Sequence, residues 1–122
     1  MNEQKKIMII EDDVATASLF VTILCRSDWN AFVVYSGEQA LKEIDAYNPQ
    51  VIILDLLLPG MSGFDVLKKL RNEKQYKNPI VVLSNLSSDS GKELCFSNGA
   101  TEYFVKGSLG IKDIVTVFER YK

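Results

Sequence analysis

The chain has 122 residues, of which 47% are hydrophobic and 25% charged, and its formal net charge is −2. This length and composition predict a single globular domain spanning residues 1–122 and exclude a disordered chain. The charge argues against direct binding to nucleic acid, no apolar run is long enough to cross a membrane, and the absence of histidine excludes histidine-based catalysis within the chain.

Five short apolar runs alternate with segments of helical periodicity. Each run is continuous rather than alternately apolar and polar, which is typical of parallel strands covered on both faces. In chain order, the predicted strands are Ile7–Ile10, Ala31–Tyr35, Val51–Leu54, Ile80–Leu83 and Tyr103–Val105. This order predicts an α/β fold, a five-stranded parallel sheet with helices on both faces, whose ligands bind beyond the carboxyl ends of the strands.

Helix faces and helix starts are also visible in the sequence. The predicted apolar faces are Leu19, Phe20, Ile23 and Leu24 in the first helix, and Ile111, Ile114, Val115 and Phe118 in the last. Three pairs resemble capping boxes, namely Ser36 with Gln39, Ser62 with Asp65, and Ser90 with Glu93. These pairs predict where the second, third and fourth helices begin.

Cys25 and Cys95 lie in predicted helices, and their spacing is not that of metal ligands. We expect both to be small residues packed against their neighbours. The first ten residues lack the cleavage site of a signal peptide. Together these features predict a reducing, cytoplasmic setting.

Asp55 interrupts the apolar stretch "VIILDLLLPGMSG" of residues 51–63. An ionised carboxylate without a partner in such surroundings costs several kcal/mol. Either Asp55 is simply exposed at the end of a strand, or cations and hydrogen-bond donors from elsewhere converge on it. The other strand ends decide between these interpretations.

Polar residues follow four of the five predicted strands. They are Glu11, Asp12 and Asp13 after the first strand, Asp55 after the third, Ser84 at the end of the fourth and Lys106 after the fifth. If the first and third strands are neighbours, three carboxylates meet, and their repulsion raises at least one pKa unless a cation is present. Magnesium suits such a set of oxygen ligands, and Lys106 would add a compact positive charge.

Each of these residues also has a simpler interpretation. The segment "EDD" of residues 11–13 could cap the first helix. Ser84 could be a strand-end hydroxyl bonded to the backbone or to water. Lys106 could be a solvated surface lysine. A common function is indicated only because all of them fall on one edge of the sheet.

Four segments, "IMIIEDD", "VIILDLLLPGMSGFDVL", "PIVVLSN" and "GATEYFVKG", resemble in order and spacing the receiver domain of two-component response regulators. The resemblance covers nearly the whole chain and implies the flavodoxin-like strand order 2-1-3-4-5. It implies a phosphorylation-activated signalling switch rather than an enzyme, with only magnesium-dependent self-phosphorylation and slow self-dephosphorylation as its own chemistry.

The resemblance also implies roles for single residues. Asp55 matches the phosphoacceptor, and Glu11 and Asp12 match the acidic pair that holds Mg²⁺ together with Asp55 and the backbone carbonyl of Leu57. A carboxylate in this role attacks a phosphoryl group, and the metal offsets the charge of the transition state.

The remaining matches concern the switch. Ser84 matches the switch hydroxyl, Lys106 the lysine that assists transfer, and Tyr103 the aromatic residue whose rotamer follows phosphorylation. The surface expected to change lies around the fourth helix, the fifth strand and the fifth helix. Because the chain has no histidine, the donor must be a partner histidine kinase or histidine phosphotransfer protein. An output domain or partner protein and a phosphorylation-dependent dimer are compatible with this function, and a membrane is not expected as a partner.

The sequence departs from the family pattern after the lysine and after the switch hydroxyl, where Gly107 and Asn85 replace the usual proline and small residue. Because the residue after Lys106 is not proline, the Lys106–Gly107 peptide bond is predicted to be trans. Two positions after the acceptor and after the switch hydroxyl stand Leu57 and Leu86. Neither side chain can orient a water molecule, so we expect slow self-hydrolysis, unless both leucines merely pack against neighbouring loops.

Three other functions fit the sequence less well. A magnesium-dependent phosphohydrolase with an aspartyl nucleophile typically carries a second acid where Leu57 stands, and it has an inserted cap. A receiver-like module that never carries phosphate is disfavoured by the acidic cluster, Ser84 and Lys106. A nucleotide-binding domain is disfavoured because "EDDVAT" replaces a glycine-rich loop after the first strand.

Overall fold

The computed structural model describes residues 5–86 and 88–122. Strands and helices alternate as predicted. They are β1 (Lys5–Ile10), α1 (Val14–Arg26), β2 (Trp29–Val34), α2 (Gly37–Tyr47), β3 (Val51–Leu54), α3 (Gly63–Asn72), β4 (Ile80–Ser84), α4 (Asp89–Ser97), β5 (Glu102–Val105) and α5 (Ile111–Glu119). The five predicted strands are all present, with ends that differ from the prediction by at most two residues. None of the described helices is both long and apolar enough to cross a membrane.

The strands form one parallel sheet in the order β2-β1-β3-β4-β5, which confirms the predicted fold. β1 lies between β2 and β3, and Ile10 is aligned with Val34 on one side and with Leu54 on the other. The Asp55 N–H continues the pairing by donating to the Ile10 carbonyl at 3.1 Å. This register brings the residues that follow β1 and β3 out of the sheet side by side.

Two hydrophobic cores cover the sheet, one on each face. The side chains of β1 alternate between them: Met8 and Ile10 pack in the core under α2, α3 and α4, and Ile7 and Ile9 in the core under α1 and α5. All four are fully buried, and each such side chain stabilises the fold by about 1.5–3 kcal/mol. Double coverage explains why the strands are continuous apolar runs.

Three residues predicted to pack inside are exposed. Leu19 is 52% and Ile111 62% exposed, and Cys25 is also exposed, whereas Cys95 is fully buried as predicted. Ile111 is the first residue of α5, and the buried face of that helix is formed by Ile114, Val117 and Phe118. Cys25 follows Leu24, which takes the sheet-facing position of the last turn, so the cysteine side chain rotates toward solvent.

Two of the three predicted helix starts are confirmed. The hydroxyl oxygens of Ser36 and Ser62 each accept a hydrogen bond from the backbone N–H three residues later. The prediction for Ser90 is wrong, because α4 begins after Ser88, whose hydroxyl oxygen accepts from the Gly91 N–H. Starting the helix there places Asp89 in its first turn, where a negative charge is favourable.

Candidate functional site

The site lies at the carboxyl edge of the sheet, where β1, β3 and β5 end. Glu11, Asp12 and Asp55 each offer one carboxylate oxygen, and these oxygens lie within 4.8 Å of one another. Glu11 and Asp55 are buried, being 2% and 5% exposed, and Asp12 is exposed. Lys106 Nζ lies 3.3 Å from Asp55 Oδ2 and pairs with Glu11 Oε1. Asp55 is therefore not an exposed strand-end carboxylate, and Lys106 is not a solvated lysine.

The charges of this cluster are unbalanced, because one ammonium group faces three carboxylates. Burial raises the pKa of Glu11, as does the nearby Asp55, against the hydrogen bond from Lys106. Burial lowers the pKa of Lys106, but the hydrogen bond to Glu11 and the charge of Asp55 outweigh it, so the pKa of Lys106 is raised overall. Lys106 is thus cationic at neutral pH, and the remaining negative charge favours a further cation.

The three residues of the segment "EDD", residues 11–13, have different structural roles. Asp13 is the N-cap of α1, and its Oδ2 accepts from the Thr16 N–H at 2.9 Å. The Asp13 N–H donates to Glu11 Oε2 at 3.2 Å, which orients the buried carboxylate. The capping interpretation therefore holds for Asp13, while Glu11 and Asp12 join the acidic cluster.

The β3–α3 loop, residues 55–62, is folded tightly around the acceptor candidate. The Leu57 N–H donates to Asp55 Oδ1 at 3.1 Å, which fixes the orientation of the carboxylate. The Gly63 N–H donates to the Leu56 carbonyl at 2.9 Å. A Cβ atom at Gly63 would lie 2.3 Å from the Asp55 carbonyl oxygen, so only glycine allows this approach.

The predicted switch residues meet at Leu86. The fully buried Ser84 hydroxyl accepts from the Leu86 N–H at 3.2 Å, and the Tyr103 hydroxyl donates to the Leu86 carbonyl at 2.5 Å. Burial raises the pKa of Tyr103. Ser84 thus bonds to the backbone, as its simpler interpretation predicted, and it is not among the residues that line the cleft above Asp55.

A cleft of about 560 Å³ opens above the cluster. Its lining contains the predicted residues of the cluster and also side chains of α1, α5 and the loop before α5 that sequence reasoning missed. The missed residues are Thr16, Leu19, Phe20, Leu109 and Ile114. Apolar residues at helical spacing indicate core packing, and nothing in that spacing separates a cleft wall from a core.

The loop after β5 confirms one prediction about the peptide backbone. No cis peptide bond occurs among residues 5–86 and 88–122, so the Lys106–Gly107 bond is trans. Gly107 has a φ of 84°, a conformation that glycine adopts without strain.

Known proteins are similar to this chain in sequence and in architecture. The family model for the response regulator receiver domain matches residues 7–118. The transcriptional regulatory protein RstA of Escherichia coli is 35% identical over 100 residues, which cover 82% of this chain and 41% of RstA. The cell cycle transcriptional regulator CtrA of Caulobacter vibrioides is 38% identical over 101 residues, which cover 83% of this chain and 43% of CtrA. The chain therefore matches less than half the length of these relatives.

Two solved structures give the same result. The BeF3-activated N-terminal receiver domain of Klebsiella pneumoniae RstA superposes with a TM-score of 0.88 at 29% identity, covering 96% of this chain and 97% of that one. The chemotaxis protein CheY4 of Vibrio cholerae superposes with a TM-score of 0.90 at 25% identity, covering 98% and 100%. On its sequence, strand order and acidic strand-end cluster, the chain belongs to the response regulator receiver family and is a phosphorylation-dependent switch of two-component signalling.

Proposed function

We propose that Asp55 is the residue that accepts the phosphoryl group. The observation that carries this proposal is the environment of its carboxylate, which is buried, held by the Leu57 N–H at one oxygen and paired with Lys106 at the other. Its bond to phosphorus forms as the bond from phosphorus to the donor breaks, and the donor leaves with that electron pair. Lys106 offsets the negative charge that gathers on the phosphoryl oxygens.

Magnesium is the cofactor in this proposal. The carboxylates of Glu11, Asp12 and Asp55 supply hard oxygen ligands within a span that one small cation can bridge, and the backbone carbonyl of Leu57 is proposed to join them. When bound, Mg²⁺ neutralises charge between the acceptor and the phosphoryl group. The excess of negative charge around the single ammonium of Lys106 supports this assignment.

Ser84 and Tyr103 are the proposed switch. Both hydroxyl groups bond to Leu86, so a change at Ser84 would reach Tyr103 through one short stretch of backbone. Tyr103 lies on β5, next to α4. We therefore place the changing surface around α4, β5 and α5.

The proposed donor is a histidine kinase or histidine phosphotransfer protein. Exposed apolar side chains stand at or beside the ends of the strands, and two of them, Leu19 and Leu57, line the cleft. Val14 and Ile111 are also exposed, in the first turns of α1 and α5. Such side chains provide a surface on which a donor protein could bury apolar area while it presents its phosphoryl group.

The output is also part of the proposal. The relatives named above are transcriptional regulators, and we propose that this receiver, a single domain over residues 1–122, controls an output domain or a partner protein and can dimerise when phosphorylated. The domain itself is not proposed to bind nucleic acid or a membrane. Its two free cysteines fit the reducing cytoplasm.

Mass spectrometry of the intact protein tests the central assignment. With acetyl phosphate and Mg²⁺, the wild-type chain should gain one phosphoryl group, and Asp55→Asn should gain none. Asp45→Asn, which changes an exposed carboxylate on α2, is the matched control and should label like the wild type. Equal labelling of Asp55→Asn, or labelling that a chelator does not reduce, would show that the assignment is wrong.

A further inference from the structure

The first turn of α2 contacts the β3–α3 loop at its tip, Gly60 and Met61. Glu38 Oε1 accepts a hydrogen bond from the Met61 N–H at 3.2 Å. The neighbouring Gly60 has a φ of 74°, and a Cβ atom there would lie 3.4 Å from the same carboxylate oxygen. The carboxylate of Glu38 thus lies against the turn formed by Gly60 and Met61.

Close packing of α2 against α3 fixes the position of the Glu38 backbone relative to the β3–α3 loop. A Cβ atom at Gly37 would lie 2.3 Å from Val66 Cγ2 and 3.4 Å from Met61 Cβ. Only glycine allows α2 to approach α3 so closely, and Val66 is itself fully buried. Because Gly37 is immobilised in this way, the adjacent Glu38 is presented to the loop by a rigid element rather than by a free surface.

The other end of the loop is held by its own backbone. Gly63 packs directly on the Asp55 backbone, and the Leu57 N–H holds the Asp55 carboxylate. Leu57, whose carbonyl is the proposed backbone ligand of the metal, lies in the sequence between Asp55 and the tip of the loop at Gly60 and Met61. A shift at Met61 would therefore be transmitted along a short, tightly turned segment to the ligands.

We propose that Glu38 is a positioning residue that holds the β3–α3 loop in the shape required for Mg²⁺ binding. The inference rests on the proposed function, since it concerns the same metal site. Glu38 touches neither Asp55 nor the metal ligands directly, and acts through the Met61 N–H. Groups that orient metal ligands from outside typically change metal affinity about 10–100-fold when removed.

Glutamine and alanine at position 38 separate this function from a simple charge effect. A negative charge in the first turn of α2 also interacts favourably with the helix dipole. Glu38→Gln removes the charge but keeps a side-chain oxygen that can accept from the Met61 N–H. Glu38→Ala removes both. Glu43→Ala, five residues further along α2, removes the same charge away from the loop and is the matched control.

The experiment is a titration with Mg²⁺ alone, without phosphodonor, followed by amide NMR shifts, together with hydrogen exchange of the Met61 amide. Glu38→Ala should raise the Mg²⁺ dissociation constant about tenfold and speed exchange at Met61 about fivefold. Glu38→Gln should stay within about twofold of the wild type in both measurements, and Glu43→Ala should match the wild type. Thermal melts of each variant confirm that the titrations are made on folded protein.

Each other outcome overturns the inference. Unchanged Met61 exchange in Glu38→Ala would show that the hydrogen bond does not hold the loop, and faster exchange with unchanged Mg²⁺ affinity would show that the loop tip does not position the ligands. Equal losses in the alanine and glutamine variants, or a loss in Glu43→Ala, would point to charge alone. If the wild type binds no Mg²⁺, the proposed metal site itself is wrong and this inference with it, whereas retention of wild-type binding in Glu38→Ala leaves the proposed function standing.

Discussion

Leu57 contributes its backbone and its side chain to the site in different ways. Its N–H orients the Asp55 carboxylate, while its side chain is 52% exposed and lines the cleft through which water must approach. Leu86 is half-buried, is not part of the cleft lining, and holds Ser84 and Tyr103 through its backbone. The sequence predicts the same effect on hydrolysis for both leucines, but in the structure only Leu57 lines the cleft.

Decay of the phosphorylated protein tests whether these side chains slow self-hydrolysis. Leu57→Asn places a group that can orient water at the cleft and should speed decay by up to about 10²-fold. Leu86→Glu should have a smaller effect, because its position is outside the cleft lining. The measurement is loss of the phosphoryl group with time in excess Mg²⁺. Unchanged decay in both variants would mean that the leucines only pack against neighbouring loops.

Among the elements, the β3–α3 connection depends most on a single residue. A Cβ atom at Gly63 would lie 2.3 Å from the Asp55 carbonyl oxygen and 2.4 Å from Leu56 Cα, and backbone atoms cannot move aside as a flexible side chain can. Gly63→Ala should lower the free energy of unfolding by about 1–3 kcal/mol, as overpacking does elsewhere. It should also reduce labelling of Asp55, since the loop must shift.

Urea unfolding of Gly63→Ala provides the measurement, with Gly91→Ala as control. Gly91 lies in the first turn of α4, where a Cβ atom would lie 3.0 Å from Oγ of the exposed Ser88 and no backbone atom is in the way. The substitution should change the free energy of unfolding by about 1 kcal/mol or less. An unfolding midpoint for Gly63→Ala equal to that of the wild type would contradict the close approach of the two backbones.

The elements also show what the sequence could and could not predict. The strands were predictable because both faces of the sheet are covered, and the strand-end cluster followed from parallel pairing of β1 and β3. The start of α4 was not, because Ser88 and Ser90 offer the same cap chemistry and only the fold selects Ser88. Leu19 was assigned to the core because periodicity identifies the face of a helix but not where the sheet beneath it ends.

At the scale of the whole molecule, the pKa values of the tyrosines reflect how far folding buries their hydroxyl groups. Burial raises the pKa of Tyr47, Tyr76 and Tyr103. Burial and the hydrogen bond to Glu102 raise the pKa of Tyr121 to about 12. A group whose pKa is raised by folding stabilises the protein fully below its unfolded pKa, near 10 for tyrosine, and that stabilisation is lost as the pH rises through the folded value.

Alkaline titration followed by phenolate absorbance tests this expectation. In the native protein most of the five tyrosines should ionise at higher pH than in urea, where they should titrate together near pH 10. The free energy of unfolding should fall between about pH 10 and pH 12. Tyr121→Phe should remove part of that fall. Superimposable curves in buffer and in urea would contradict the burial of these hydroxyl groups.

The ion pair between Glu11 and Lys106 has a consequence for protein synthesis. Its partners are 95 residues apart in the sequence, and Lys106 follows β5, the last of the five strands of this sheet to be synthesised. Until that strand has docked on β4, the carboxylates that β1 and β3 bring together lack the ammonium group of Lys106. With the proposed roles of Asp55 and Lys106, a chain in which β5 has not yet joined the sheet is expected to be a poor phosphoryl acceptor.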